Sequence, residues 1–378
     1  MTSIADIVVE RRIVVCCGTG GVGKTTTSAA IAIEGARRGR NAVVVTIDPA
    51  KRLAQALGLE TLSNTAHEIP RERWDREATA VPGGRLHALM LDTKSTFDQL
   101  VTQYAGSDEQ AARILDNSFY RNIAGTLSGT QEYMAMEKLY ELHADGGFDL
   151  IVVDTPPTRH ALDFLDAPRR LTRLLDNRIF RLLMVPARTG FRVGAVAAQA
   201  FVRTVSRVVG TEVIDDVLAF FRAFEGMEDG FRARASEMND LIASPETSFV
   251  LVTSPRRDAV EEAGFFADRL RESELSVEAL VVNRVHPRYH AAPPDVLRTH
   301  AHELRDETAR AGDDGTEARA VAAQLENLAD LEELAVREER ELAGLAERIE
   351  GATIARVPEL DHDVHDFDAL RAVATHLV

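Results

Sequence analysis

The sequence has very little cysteine, and this limits the chemistry that it can carry. Among its 378 residues there are only two cysteines, Cys16 and Cys17, which are adjacent in an apolar stretch. Adjacent cysteines cannot form an ordinary disulfide, and the C-x-x-C spacing of a zinc clasp is absent. We therefore interpret both as small buried side chains rather than as redox groups or metal ligands.

Long apolar runs and an excess of positive charge are also missing. No uncharged apolar run approaches the roughly 20 residues that cross a bilayer, and no basic segment followed by an apolar one stands at the N-terminus. The formal net charge is −16, whereas a surface that binds nucleic acid depends on lysine and arginine. These absences predict a cytoplasmic protein with no direct membrane insertion and no nucleic-acid partner.

The strongest signal that is present is a complete G-x-x-x-x-G-K-[ST] phosphate loop. The motif and the residue after it comprise Gly18, Thr19, Gly20, Gly21, Val22, Gly23, Lys24, Thr25 and Thr26. The glycines allow consecutive backbone N–H groups to curl around a β-phosphate at the positive end of the next helix. Lys24 is expected to neutralise the β- and γ-phosphates, and the Thr25 hydroxyl is expected to bind Mg²⁺. The loop therefore predicts a bound nucleotide with its metal.

Strands that alternate with helices predict the fold. Strand signals occur at 12–17, directly before the loop, and again at 42–47, 86–91, 150–153, 249–253, 279–282 and 353–357. Such alternation indicates an α/β fold with a doubly wound, mostly parallel sheet and helices on both faces. We predict a single domain of this kind over residues 1–378.

One long segment interrupts this alternation. Residues 168–244 contain no clear strand and carry apolar side chains at helical spacing, which predicts an inserted helical subdomain. An ordinary helical core and a groove for a protein client have the same composition, so both remain open. The candidates for lining a groove are Phe180, Met184, Phe191 and Phe201.

A second segment, residues 305–350, is strongly charged and has a narrow apolar seam. We predict a solvated helix that either packs on its own domain or binds a partner. The seam consists of Leu328, Leu331, Ala335, Leu342, Leu345 and Ile349.

Two aspartates follow predicted strands, at the edge where ligands of a doubly wound sheet bind. Asp48 follows the second strand, where a carboxylate can orient or deprotonate an attacking water. Asp154 ends the apolar strand 150–153 as a Walker B aspartate does, and we expect it to hold Mg²⁺ through a water. The alternatives are structural, since Asp48 can cap the next helix and Asp154 can simply end its strand.

These motifs together resemble those of the arsenite-pump (ArsA) ATPases. The resemblance is carried by the phosphate loop, by Asp48-Pro49-Ala50, and by Asp154-Thr155-Pro156-Pro157-Thr158-Arg159-His160. A weaker similarity covers residues 89–97. The family includes the factor that targets tail-anchored membrane proteins. The resemblance implies hydrolysis of ATP to ADP and phosphate with Mg²⁺, by a dimer whose helical subdomain moves with the nucleotide state.

The resemblance also implies roles for single residues. Lys24 corresponds to the phosphate-loop lysine, Asp48 to the water-activating aspartate and Asp154 to the metal-side aspartate. Asn283 corresponds to the asparagine that reads adenine, and Pro358 lies in the loop that closes over the base. A carboxamide can pair with both a donor and an acceptor, although by its spacing Asn283 is equally a polar residue at the end of a strand.

The chain departs from the family at Thr19, where the family has a lysine that reaches the partner's phosphates. Thr19 supplies no charge, so we predict weak self-stimulated hydrolysis unless a cation replaces the lysine. The candidates are Lys51, Arg52 and Arg159, and the alternative is a heterodimer with a related subunit that carries the lysine. Arsenite transport is not expected, because two adjacent buried cysteines cannot form a cluster of separated thiolates.

Three classes of function therefore remain. We favour an ATPase that drives a conformational change of a dimer on a protein client or a membrane partner. A catalytically weak regulatory subunit is the second class, although the retained Asp48 argues against it. The third is a positioning or partitioning ATPase like ParA or MinD, which needs a basic DNA face or a membrane-binding tail. The tail 367–378 carries a single arginine, which makes it a poor anchor.

Overall fold

The structure is a computed structural model that describes residues 3–48, 52–123, 130–156, 159–176, 216–217, 219–220, 222–311 and 315–378. The strands in these ranges are β1 (Ile13–Gly18), β2 (Asn41–Thr46), β3 (His67–Ile69), β4 (Arg85–Met90), β5 (Leu150–Asp154), β6 (Thr247–Thr253), β7 (Val277–Val285) and β8 (Thr353–Pro358). The helices are α1 (Ile4–Glu10), α2 (Lys24–Arg37), α3 (Arg52–Ala56), α4 (Arg71–Trp74), α5 (Thr93–Tyr104), α6 (Asp108–Leu115), α7 (Ser118–Ile123), α8 (Thr130–Ala144), α9 (Arg159–Asp176), α10 (Glu228–Ile242), α11 (Arg257–Glu272), α12 (Pro294–Ala311), α13 (Thr316–Arg348) and α14 (Phe367–Thr375).

The strands form one sheet in the order β3-β4-β2-β5-β1-β6-β7-β8. Every neighbouring pair is parallel except β3 and β4, which are antiparallel. The prediction of a mostly parallel α/β sheet is therefore confirmed. Because parallel strands end at the same edge, the segments that follow β1, β2, β5 and β7 come together there.

The central strands are buried on both faces, which explains their continuous apolar runs. Alternate residues of β1 enter the two cores, so that Ile13 and Val15 pack on one face and Val14 on the other. Cys16 and Cys17 follow the same alternation and are free, buried thiols, as predicted. Burial raises the pKa of Cys16 to about 12 and raises that of Cys17 further, so neither is a ready thiolate.

Several elements differ from the prediction. The short helix α1 and the edge strand β3 were not predicted, because segments of seven and three residues give too little periodicity. The charged segment 305–350 begins earlier, at Pro294, and contains two helices, α12 and α13, instead of one. Residues 312–314 lie outside the described ranges.

The apolar seam of α13 is also different from the predicted one. Ala335, Leu342, Leu345 and Ile349 are buried as expected, but Leu331 is 40% exposed and its assignment to the seam is wrong. The buried face instead contains two glutamates, which accept hydrogen bonds from the loop after β7. Within the described ranges, none of the helices combines the length and the apolar character needed to span a bilayer.

The predicted helical insertion, residues 168–244, is described only at its two ends. Helix α9 continues through Pro168, and α10 precedes β6. The groove candidates Phe180, Met184, Phe191 and Phe201 lie outside the described residues. Near the C-terminal end, Phe220, Phe224 and Phe231 are buried and join the core on one face of the sheet. This end of the segment therefore contributes to the ordinary core of the protein.

Candidate functional site

The phosphate loop connects β1 to α2, and two of its glycines have no room for a side chain. Gly18 has φ +154°, and a Cβ placed on it would lie 2.0 Å from the carbonyl oxygen of Val252 at the end of β6. Gly23 has φ +96°, and its Cβ would lie 2.1 Å from Nδ2 of Asn283 on β7. The loop is therefore fixed against the ends of two strands, and glycine is required at both positions.

Lys24 is folded back onto this loop. Its ammonium is buried and donates a hydrogen bond of 2.8 Å to the carbonyl oxygen of Thr19. Burial lowers the pKa of Lys24, and the nearby carboxylates of Asp154 and Asp48 partly oppose that effect. The charge is thus held beside the loop and close to both aspartates, where it can meet a phosphate.

Asp154 lies at the end of β5 and is 1% exposed. Its Oδ2 accepts hydrogen bonds from the hydroxyls of Thr25, at 2.7 Å, and of Thr46, at 2.9 Å. Its Oδ1 is buried and has no hydrogen-bond partner among the described residues. Burial raises the pKa of Asp154 to about 6 in spite of the two hydroxyl donors. A buried acceptor next to a threonine hydroxyl fits a hydrated Mg²⁺, which binds oxygen ligands and retains water.

Asp48 follows β2 at the same edge of the sheet. Register pairs Thr46 of β2 with Asp154 of β5, and the Thr46 hydroxyl accepts a hydrogen bond of 3.2 Å from the amide of Asp48. The Asp48 carboxylate is 20% exposed and lies 4.0 Å from NH1 of Arg52. Gln131, near the start of α8, donates a bond of 2.9 Å to the carbonyl oxygen of Ile47. The strand pairing and this contact together hold Asp48 near Asp154.

A cavity of about 620 Å³ opens beside these groups. Its lining brings together nine residues predicted for the site, while Gly18, Thr19, Val22 and Asp154 are not part of the lining. The lining residues are Gly20, Gly21, Gly23, Lys24, Thr25, Thr26, Asp48, Arg52, Gln55, Ala56, Thr155, Asn283, Arg284, Pro358, Glu359, Leu360, His362, Asp363, Val364 and Val373.

Both the nitrogen and the oxygen of the Asn283 side-chain amide form hydrogen bonds with the protein backbone. Its Nδ2 donates to the carbonyl oxygen of Val22 at 2.9 Å, and its Oδ1 accepts from the amide of Arg284 at 3.0 Å. Arg284 adopts the left-handed φ of +61°, which is uncommon for a residue with a side chain. Asn283 thus links the phosphate loop to the end of β7, and its predicted contact with adenine remains a prediction.

Several lining residues were not predicted from the sequence. Gln55 and Ala56 belong to α3, and His362 and Asp363 belong to the segment between β8 and α14. A short polar loop carries no motif, so only the closeness of Pro358 could have drawn attention to it. Of the three candidate cations, Lys51 and the side chain of Arg159 lie outside the described residues, whereas Arg52 lines the cavity.

A phosphate loop between β1 and α2 of a mostly parallel sheet is the mark of a P-loop nucleotide-binding protein. Within that class, the chain belongs to the ArsA ATPase family, because the family model described as anion-transporting ATPase matches residues 11–306. The resemblance found in the motifs is therefore confirmed.

Curated relatives agree with this family. The chain is 26% identical over 270 residues to "ATPase get3" of Schizosaccharomyces japonicus, covering 71% of this chain and 72% of the relative. It is 25% identical over 270 residues to "ATPase get3" of Schizosaccharomyces pombe, covering 71% of each. It is 30% identical to "ATPase GET3" of Malassezia globosa over a shorter span of 161 residues, which is 42% of this chain and 43% of the relative. The chain is therefore an ATPase.

Proposed function

We propose that this ATPase hydrolyses Mg²⁺–ATP in the cavity beside the phosphate loop, with Asp48 as the residue that activates water. The observation that carries the proposal is the convergence of Lys24, Thr25 and Asp48 on one cavity, with Asp154 buried behind Thr25. Backbone N–H groups of the loop, at the N-terminus of α2, bind the β-phosphate. Lys24 exchanges its bond to the Thr19 carbonyl oxygen for the phosphate oxygens.

The metal side of the cavity is assigned to Thr25 and Asp154. Thr25 would bind Mg²⁺ through its hydroxyl and Asp154 would hold it through a water, so that the ion neutralises phosphate charge. The buried Oδ1 of Asp154 would then gain a hydrogen-bond donor. Thr46 keeps the carboxylate oriented through its bond of 2.9 Å.

The chemical step transfers the γ-phosphoryl group to water. The water oxygen forms a bond to the γ-phosphorus while the bond from that phosphorus to the bridging oxygen breaks. The bridging oxygen keeps the electron pair and leaves as part of ADP, and the proton of the water passes to Asp48. The carboxylate is suited to this role because it is only 20% exposed and lies at the edge of the cavity that contains Lys24.

We further propose that hydrolysis changes the conformation of a dimer that acts on a protein client or a membrane partner. Two observations support this coupling. The chain belongs to the ArsA family, and residues 168–244 begin within α9, the helix that follows the Asp154 strand. Because tail-anchored membrane proteins are the clients of one branch of the family, an apolar helix is the client chemistry that we favour. Burial of both cysteines argues against arsenite as the cargo.

A regulatory subunit in a heterodimer is the second candidate, and the uncharged Thr19 is the observation that favours it. Such a subunit would bind ATP but hydrolyse it weakly until a lysine-bearing partner completes the site. The two candidates differ in whether the purified chain alone is active.

Steady-state hydrolysis of Mg²⁺–ATP over a wide range of protein concentration separates them. We expect specific activity to rise with concentration, and Asp48→Asn to lower it by about 10³-fold, the contribution of a positioned general base. Asp48→Asn should still bind ATP, and Asp229→Asn, which changes a fully exposed aspartate, should behave as the unaltered chain.

Activity equal to that of Asp48→Asn at every concentration, with ATP still bound, would contradict a self-sufficient homodimer. The search would then turn to a partner subunit that carries the lysine.

A further inference from the structure

Arg52 lies in the nucleotide cavity beside Asp48. Its NH1 is 4.0 Å from Oδ2 of Asp48, and its side chain is 63% exposed. Burial lowers the pKa of Lys24, the carboxylates of Asp154 and Asp48 raise it, and the charge of Arg52 lowers it. A guanidinium, a carboxylate and an ammonium therefore share one end of the cavity.

This end is where the γ-phosphate of the proposed reaction must lie, because it contains both the loop lysine and the water-activating aspartate. Charge develops on the γ-phosphoryl oxygens during transfer, and an arginine commonly stabilises it. Thr19 is uncharged, so the phosphate loop itself offers only Lys24. A second cation near Asp48 would complete the site.

The sheet order distinguishes Arg52 from the other arginine in the cavity lining. Arg284 lies near the end of β7, which is four strands away from β2 across β5, β1 and β6. At about 4.8 Å per strand this is roughly 19 Å, which places Arg284 at the opposite end of the cavity. Arg52 begins α3, only four residues after Asp48.

Arg52 can also leave Asp48 for another negatively charged group at little cost in free energy. The guanidinium of Arg52 is exposed and lies 4.0 Å from the carboxylate, so water and salt weaken the attraction between them. A phosphate carries more negative charge than a carboxylate and accepts two parallel N–H bonds from a guanidinium. A γ-phosphate therefore competes well with Asp48 for Arg52.

We propose that Arg52 binds the γ-phosphate of ATP bound in the same subunit, supplies the charge that Thr19 lacks, and leaves Asp48 ready to accept a proton from water. This inference rests on the proposed function. ADP has no γ-phosphate, so Arg52 stays with Asp48 when ADP is bound. Arg52 thus distinguishes ATP from ADP in addition to accelerating hydrolysis.

The test compares Arg52→Gln and Arg52→Lys with the unaltered chain in two measurements. The first is kcat and KM for Mg²⁺–ATP, and the second is the dissociation constant for ADP and for a non-hydrolysable ATP analogue. Arg257→Gln is the matched control, because Arg257 is also exposed, begins a helix and pairs with a carboxylate four residues away. Circular dichroism checks that each variant is folded.

We expect Arg52→Gln to lower kcat by about 10³-fold. It should also reduce the preference for the ATP analogue over ADP by about tenfold, as expected for one lost hydrogen bond between charged groups. Arg52→Lys should recover part of the lost kcat and part of the lost preference for the ATP analogue. Arg257→Gln should change neither kcat nor this preference.

An unchanged preference for the analogue over ADP in folded Arg52→Gln would overturn the proposal, whatever happens to kcat. The binding measurement does not depend on turnover. If the unaltered chain hydrolyses no ATP, the proposed function fails while the preference still tests Arg52. If Asp48→Asn abolishes hydrolysis while Arg52→Gln changes neither kcat nor the preference for the analogue, the proposed function stands and only the proposed role of Arg52 is contradicted.

Discussion

Glu137 is a buried carboxylate that joins two helices outside the nucleotide cavity. It is 4% exposed on α8, and its Oε1 lies 3.1 Å from Nε of Arg234 on α10. Burial raises the pKa of Glu137 to about 7. The positive charge of Arg234 lowers this pKa, and the negative charges of Glu141 and Glu237 raise it. The protonated form is therefore favoured by folding.

This shift predicts a pH-dependent cost in stability. The pKa of Glu137 is higher in the folded protein than in the unfolded chain, where it is about 4.5. Protonated Glu137 therefore stabilises the fold fully at pH values below about 4.5, and this stabilisation is lost as the pH rises through about 7. From pH 5 to 8, the free energy of unfolding should fall relative to that of Glu137→Gln, by on the order of 2–3 kcal/mol. Urea unfolding of both proteins across this range measures the difference.

Glu109→Gln serves as the control, because Glu109 is exposed in the first turn of α6. The difference between this variant and the unaltered chain should stay constant with pH. Parallel stability curves for Glu137→Gln and the unaltered chain would show that Glu137 is already ionised throughout the range.

At the scale of elements, a buried glutamate holds α13 to the loop that follows β7. Glu332 is fully buried and accepts hydrogen bonds from Nε of Arg288 at 2.9 Å and from the amides of Tyr289 and His290 at 2.6 and 2.7 Å. The carboxylate thus orders the loop that leads from β7 toward α12.

Glu332→Ala should lower the free energy of unfolding by about 3 kcal/mol, because it leaves three donors without their acceptor. Glu333→Ala is the matched control on the same helix, since Glu333 is 63% exposed and pairs only with a partly exposed arginine among the contacts described. The control should change stability by less than about 0.5 kcal/mol. Equal effects in chemical unfolding at pH 7 would contradict a structural role for Glu332.

The same helix shows what could not be predicted from the sequence. Spacing by seven identified Ala335 and Leu342 correctly, because apolar burial repeats with the helical period. The pattern assigned Leu331 to the seam, whereas the structure buries Glu332 beside it. A buried glutamate depends on backbone donors more than 40 residues earlier, and a local pattern carries no information about them.

For the whole molecule, the strands and their mostly parallel direction could be predicted from the sequence, but the order of the strands in the sheet could not. Apolar runs located the seven parallel strands, because both faces of such strands are buried, and their alternation with helices implied a parallel sheet. The edge strand β3 is three residues long, and its antiparallel pairing has no signal in the sequence. Asp48 and Asp154 were predicted as site residues because each follows an apolar run in the sequence, while their proximity depends on the pairing of β2 with β5.

The site gathers segments from both halves of this sheet, so nucleotide binding should stabilise the entire fold. Asp48 follows β2, Asp154 ends β5 and contacts Thr25, and β7 and β8 contribute Asn283 and Pro358. A ligand at 100 times its dissociation constant stabilises the folded state by about 2.7 kcal/mol. Mg²⁺–ATP should therefore raise the melting temperature by a few degrees, and EDTA should remove the part that depends on the metal.

Asp154→Asn separates the two parts of this shift. In this variant, ATP alone should still raise the melting temperature, because that effect depends on the phosphate loop. The further rise in melting temperature that Mg²⁺ causes should be lost. Without nucleotide it should melt no lower than the unaltered chain, because the substitution removes a buried carboxylate whose pKa is raised to about 6. Asp145→Asn, an exposed change just after α8, should retain both increases. If Mg²⁺ raises the melting temperature of Asp154→Asn as much as that of the unaltered chain, the metal is bound without the carboxylate of Asp154.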